Sequence, residues 1–211
     1  GDRSTTGAGT GQLPPFIPFV PRANRATSRL RPTRMMEADL TTYHDHDFTN
    51  VTINPDVEST FMKLSEGKKE FRYIIFKIED REVVVESAVT QEDLGITGDD
   101  YEDSSKAAFE KFVVDLKART DGYSDCRYAV FTFKFTCSRV GAGASKMDKI
   151  ILLQLCPHGA SIMKKTVYAS SASAIKASLG SGKILQFQVS DESEMSHKEL
   201  LSKLTEKYAD N

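Results

Sequence analysis

Few side chains in this sequence are spaced for covalent chemistry, and each candidate meets a physical objection. His44-Asp45-His46 groups metal-capable residues, yet no third ligand follows at metal-site spacing, so the triplet reads as solvated linker. Cys156-Pro157-His158 sets a thiol near an imidazole. A thiol nucleophile needs a base oriented by a third group, and sequence neighbours rarely reach that geometry, so a thiol enzyme using Cys156 is disfavoured. Gly141-Ala142-Gly143 joins two strands instead of opening a helix, which makes it a poor phosphate loop. The acidic run Asp99 to Asp103 lacks the ligand spacing of a calcium loop. No catalytic residue, metal or cofactor is expected.

A cationic helix pattern says more. Residues from about Ser161 to Leu179 are predicted to form a helix closed by Gly180. At about 100° per residue, Lys165 and Lys176 fall about 20° apart around the axis and about 16 Å apart along it. Ala169 and Ala172 are expected on that same outward face, with Tyr168, Ile175 and Leu179 on the opposite side against a sheet. Two ammonium groups flanking a strip of methyls suit docking. Small residues let another backbone approach closely, and the cations pair with acids and raise the on-rate. An ordinary exposed amphipathic helix would show the same pattern.

The rest of the chain supplies a frame for that helix. Asn54-Pro55-Asp56 is a helix start, with Val57, Phe61 and Leu64 as its apolar stripe and Gly67 as its end. Phe71 to Ile78 and Val83 to Val89 read as a hairpin around a tight turn at Glu79-Asp80-Arg81. Residues 90–103 read as an acidic loop, after which Ser104 or Ser105 opens a helix with Phe109, Phe112, Val113 and Leu116 on one face. Cys126 to Thr136 alternates, Tyr128, Val130, Thr132 and Lys134 against Ala129, Phe131, Phe133 and Phe135. A small-residue connector, Ser138 to Ser145, leads to a strand at Lys149 to Cys156, and Ile184 to Val189 is a fifth strand. Ser196 to Glu199 is a capping box ahead of Leu200, Leu201, Leu204 and Tyr208. The order α-β-β-α-β-β-α-β-α predicts an α/β (α+β) class, a central mixed five- to six-stranded sheet flanked by helices on both faces.

Charge and cysteine usage narrow the function. A net charge of −2 argues against a bulk nucleic-acid binder, and no apolar run is long enough for a membrane helix. The charge is uneven: residues 1–34 hold six Arg, one acid and five of the seven Pro. Residues 1–50 are therefore expected to be a disordered extension ahead of a domain at 51–210. A transit peptide is opposed by the prolines, which would break its helix. The chain begins with Gly and is read as a fragment, a processed form or an engineered product. Cys126, Cys137 and Cys156 form no CxxC pair, so the thiols are expected to stay reduced and the compartment to be the cytoplasm. Cys126 and Cys156 sit in strand contexts as small buried hydrophobes.

From about Val51 to Asp210 the chain resembles the actin-depolymerising factor/cofilin family, most of all its nematode-type members. The markers are YIIFKI (Tyr73 to Ile78), VVVE (Val83 to Glu86), DCRYAVFTFKF (Asp125 to Phe135), KIILLQLCP (Lys149 to Pro157), VYASS (Val167 to Ser171) and SDESEMS (Ser190 to Ser196), in this order. The resemblance implies an ADF-homology, gelsolin-like fold. It implies an actin-binding protein, not an enzyme, that binds monomers and filaments and promotes depolymerisation, severing and turnover. The long third helix is implied to enter a cleft between two actin subdomains. Carried onto this chain, the monomer site is Val51, Lys164, Lys165, Ala169, Ala172, Lys176, Asp191, Glu192 and Glu194; the filament site is Lys149 and Lys203. Thr49 is nearest to the family's regulatory serine, where a phosphate would repel acids on actin.

The chain departs from the family pattern at Met163 (with Lys164 to compensate), at Ala172-Ser173, at Met147, and at Lys68-Lys69, all that is left of a nuclear-import run. Phosphoinositides are expected to compete through Lys149, Lys164, Lys165 and Lys176. The protein is expected to be a monomer on the actin cytoskeleton. The alternative is an ADF-homology scaffold, or a regulator of a nucleation complex, that does not bind actin monomers.

Overall fold

The structure is a computed structural model that describes residues 50–66, 71–97, 101–139, 141, 143–180, 182 and 184–209. The expectations for residues 1–49, including Thr49, and for Gly67 and Lys68-Lys69 lie outside the described residues.

The elements run β1 (Thr52–Ile53), α1 (Pro55–Ser65), β2 (Phe71–Glu79), β3 (Glu82–Thr90), α2 (Tyr101–Arg119), β4 (Arg127–Arg139), β5 (Gly143–Leu155), α3 (Ile162–Ser178), β6 (Ile184–Val189), a 3-10 turn (Glu192–Glu194) and α4 (His197–Ala209). The six strands lie in the order β1-β3-β2-β4-β5-β6. The inner pairs are antiparallel and the two outer pairs, β1 with β3 and β5 with β6, are parallel. β1 falls within residues 35–53, a polar stretch whose sequence shows no clear period. Backbone geometry decides it: the Thr52 N–H donates to the Arg81 carbonyl at 2.9 Å and the Asn54 N–H to that of Val83 at 3.0 Å.

Strand alternation divides the interior. On one face of β4, Ala129, Phe131, Phe133 and Phe135 pack with Phe109, Phe112 and Leu116 of α2 and Leu200 and Leu204 of α4. On the other, Tyr128 and Val130 pack with Val57, Phe61 and Leu64 of α1 and with Tyr168 and Ile175 of α3. A central strand between two helical layers must be apolar on both sides, and each fully buried Phe or Leu contributes roughly 1.5–3 kcal/mol.

Two boundaries differ from the sequence expectation. α2 begins at Tyr101, so the end of the acidic stretch is helix, with Glu102 and Asp103 in the first turn where the dipole favours them. Those residues also bond the sheet. Glu102 Oε1 accepts from the Thr136 N–H at 2.7 Å and Ser105 Oγ from the Lys134 N–H at 3.0 Å. Both amides lie on β4 beyond its pairing with β2, which spans Tyr128 to Phe131. The β4–β5 arm is also longer, its register running out to Arg139 opposite Gly143. Hydrogen bonding across the arm extends the strands through small residues that carry no alternating signal.

Candidate functional site

Ser161 caps α3 by accepting from the Lys164 N–H at 3.2 Å, and Gly180, at φ 85°, follows its C-terminal end. Tyr168, Ser171, Ala172 and Ile175 face inward, joined by Leu179. The Tyr168 hydroxyl accepts from the Ile78 N–H at 2.8 Å, and the Tyr128 hydroxyl donates to the Tyr168 carbonyl. These bonds fix the rotation of α3 about its own axis.

That rotation corrects the expected face. Ala172 is 6% exposed and packs in the core under α3. The reason is helical geometry: Ala172 is about 20° from Leu179, about 40° from Tyr168 and about 60° from Ile175, so the four share one side. Ala169 is exposed as expected. Lys165 and Lys176 are half-buried at the border between the buried and exposed faces, so they rim the outward surface instead of standing at its centre. The exposed strip they border runs through Thr166, Ala169, Ser173 and Ala177.

Among the described residues neither Lys165 nor Lys176 has an ion-pair partner. Lys164 differs: its ammonium bonds Asp125 at 2.8 Å. Asp125 also binds Arg127, which in turn reaches Glu86 at 2.8 Å and donates to the Arg119 carbonyl at 3.0 Å. Burial alone would raise the Asp125 carboxyl, but the bonds from Lys164, Arg127 and the Cys126 N–H outweigh it and hold the group below its usual range. Lys164 is thus tied to Asp125 at the start of α3, beside Met163, the position where the family pattern carries a charge. In place of that charge stand two bare apolar side chains, Ile162 at 80% exposed and Met163 at 61%. Both follow directly after the Ser161 cap, a pair of large apolar residues at a helix start that is legible in the sequence.

The acidic turn is largely occupied with its own structure. Asp191 caps the 3-10 turn by accepting from the Ser193 N–H at 2.8 Å, and that bond holds its carboxyl below the usual range, helped by nearby His158. His158 belongs to the loop leading into α3, so the turn sits beside the start of that helix. Glu194 accepts from the Ser190 N–H at 2.8 Å, and Glu192 pairs with Lys117 of α2 at 2.6 Å. Val51 packs against the α1 and α3 layer. The remaining two predicted residues lie elsewhere: the Lys149 ammonium of β5 stands over the Tyr208 ring of α4 at 4.5 Å, and Lys203, also of α4, pairs with Glu199 at 3.7 Å.

Among the described residues no group of acidic, His and Cys side chains is arranged to hold a metal ion, and no helix is long and apolar enough to cross a membrane. The fold is a small α+β domain whose third helix carries two cations, without ion-pair partners among the described residues, along one edge of an exposed strip. Residues 50–205 match the family described as cofilin/tropomyosin-type actin-binding protein. The chain is 75% identical over 154 residues to actin-depolymerizing factor 1, isoforms a/b, of Caenorhabditis elegans, covering 73% of each sequence. It is 32% identical to actin-depolymerizing factor 2, isoform c, of the same organism, over 74% of this chain and 95% of the other. The solution structure of the ADF-like UNC-60A protein of C. elegans superposes with a TM-score of 0.67 at 75% identity, over 77% of this chain and 99% of that one. The chain belongs to the actin-depolymerising factor/cofilin family of actin-binding proteins.

Proposed function

We propose that this protein binds actin monomers and filaments and promotes depolymerisation, severing and turnover, acting as a binding protein without catalysis. Its domain spans 51–210, after an extension at 1–50. α3 makes the monomer contact. Lys165 and Lys176 pair with acids on actin, Ala169 allows close backbone approach, and Ile162 and Met163 add apolar area at the start of the helix. Asp191, Glu192, Glu194 and Val51 complete that surface, with Lys164 holding the helix start in place through Asp125. Lys149 on β5 and Lys203 on α4 form the filament contact. Binding both protomers favours a twisted filament state and drags the population toward it. Acidic phosphoinositide headgroups compete for the same lysines, the protein acts as a monomer in the cytoplasm on the actin cytoskeleton, and Thr49 stands where a phosphate would oppose binding.

The observation that carries this reading is the pair of unpaired cations on one rim of α3. Reversing Lys176 to Glu tests it. Affinity for monomeric actin is expected to fall roughly ten- to hundredfold, about 1.4–2.8 kcal/mol, with an unchanged melting temperature. Wild-type affinity in Lys176→Glu would show that this face does not meet actin.

A further inference from the structure

Cys126 and Cys156 flank the paired ends of β4 and β5. The register sets Arg127 opposite Leu155, so the next position across the antiparallel pair places Cys126 opposite Cys156. Backbones so paired are about 4.5–5.5 Å apart, inside the roughly 4.4–6.8 Å a disulfide spans. Both thiols are free and lie in the layer under α3. Gln154 Nε2 donates to the Cys156 sulfur at 3.6 Å. The neighbouring Cys126 thiol, with Gln154 and the charge of Lys165, holds the Cys156 thiol below an ordinary cysteine against the opposing effect of burial, while the Cys156 neighbour and burial push Cys126 up. Access is graded the same way: Cys156 is 7% exposed and Cys126 0%. Cys137 is equally buried but in the opposite layer, under α2 and α4.

We propose that Cys126 and Cys156 are a dithiol that hydrogen peroxide converts to a cross-strand disulfide beneath α3. The Cys156 thiolate attacks one peroxide oxygen. An S–O bond forms, the O–O bond breaks, and the hydroxide that leaves is protonated to water. The Cys126 sulfur then attacks the Cys156 sulfenic sulfur. The S–S bond forms, the S–O bond breaks, and the departing hydroxyl takes the Cys126 proton away as water. Two thiols and one peroxide give one disulfide and two waters; a dithiol reductant reverses the change.

The test uses the full chain and reads no actin binding, so it is separate from the proposed function. Wild-type protein is treated with hydrogen peroxide, alkylated under denaturing, non-reducing conditions and mapped by mass spectrometry. The expected result is a Cys126–Cys156 linked peptide lighter by two hydrogens, reversed by dithiothreitol, with Cys137 still alkylated as the internal control. Cys126→Ser is expected to trap a dimedone-reactive sulfenic acid at Cys156, and Cys156→Ser to abolish the reaction. A link through Cys137, progression of wild-type Cys156 to sulfinic acid without a link, or no reaction at doses that oxidise exposed thiols overturns the proposal. The wild-type map decides the question even if either variant folds poorly.

Discussion

The rotation of α3 can be tested by a matched pair of substitutions, Ala169→Leu and Ala172→Leu. The two changes add the same atoms to the same helix, and Leu and Ala have nearly equal helix propensity, so local terms cancel. At Ala172, 6% exposed among Tyr168, Ile175 and Leu179, three extra carbons enter a packed layer. Overpacking of that kind costs about 1–3 kcal/mol. For a domain of this size about 2 kcal/mol lowers the melting temperature by roughly 4–8 °C. At exposed Ala169 the leucine projects into solvent, and the stability change is expected to stay within about 0.5 kcal/mol. The binding readout runs the other way. Ala169→Leu blocks close approach on the proposed contact face and is expected to weaken actin binding at least about tenfold, about 1.4 kcal/mol. Ala172→Leu, at temperatures where it stays folded, retains most of its affinity. Thermal denaturation and co-sedimentation with purified actin measure the two quantities. If the profiles came out exchanged, with Ala172→Leu stable but unable to bind and Ala169→Leu unstable but binding, the helix would be turned the other way and the site as drawn would be wrong.

Two further outcomes follow from the buried polar groups. Asp125→Asn removes one acid from Arg127, whose side chain is 9% exposed, and frees Lys164. Because Glu86 still holds Arg127, the expected loss is about 1–2 kcal/mol, below the 3–5 kcal/mol of an orphaned buried ion, and a loss within error in urea denaturation would show the network to be inessential. His197 stacks on Phe133 at 4.6 Å, and burial first, then the charge of Lys106, lowers its imidazole below the usual range. The unfolded chain therefore binds the extra proton more readily: this contribution is intact above about pH 6.5 and is lost as pH falls through that value toward the folded one. His197→Gln is expected to flatten the melting-temperature profile between about pH 7 and pH 5.5, and an identical slope in the variant would assign the pH dependence to other groups.

Much of this protein is written locally. The Asn54 cap with Pro55, the Ser161 cap with Gly180, the Ser196 cap and the alternation of β4 are signals spanning a few residues, and the side-chain or backbone bonds that satisfy them are local too. The motifs from Tyr73 to Ser196 were enough for the family. What the sequence left open depends on partners distant in the chain. β1 is a strand because Arg81 and Val83 offer it carbonyls, and α2 reaches back to Tyr101, where Glu102 and Ser105 meet amides about thirty residues on. Lys164 is an anchor because Asp125 waits beneath it, and the two cysteines face one another because the register of β4 and β5 brings residues thirty apart to one end of the sheet. Periodicity sets which residues share a side of a helix. Which side is buried is settled by the sheet and by hydrogen bonds such as Tyr168 to Ile78, and those exist only once the chain has folded.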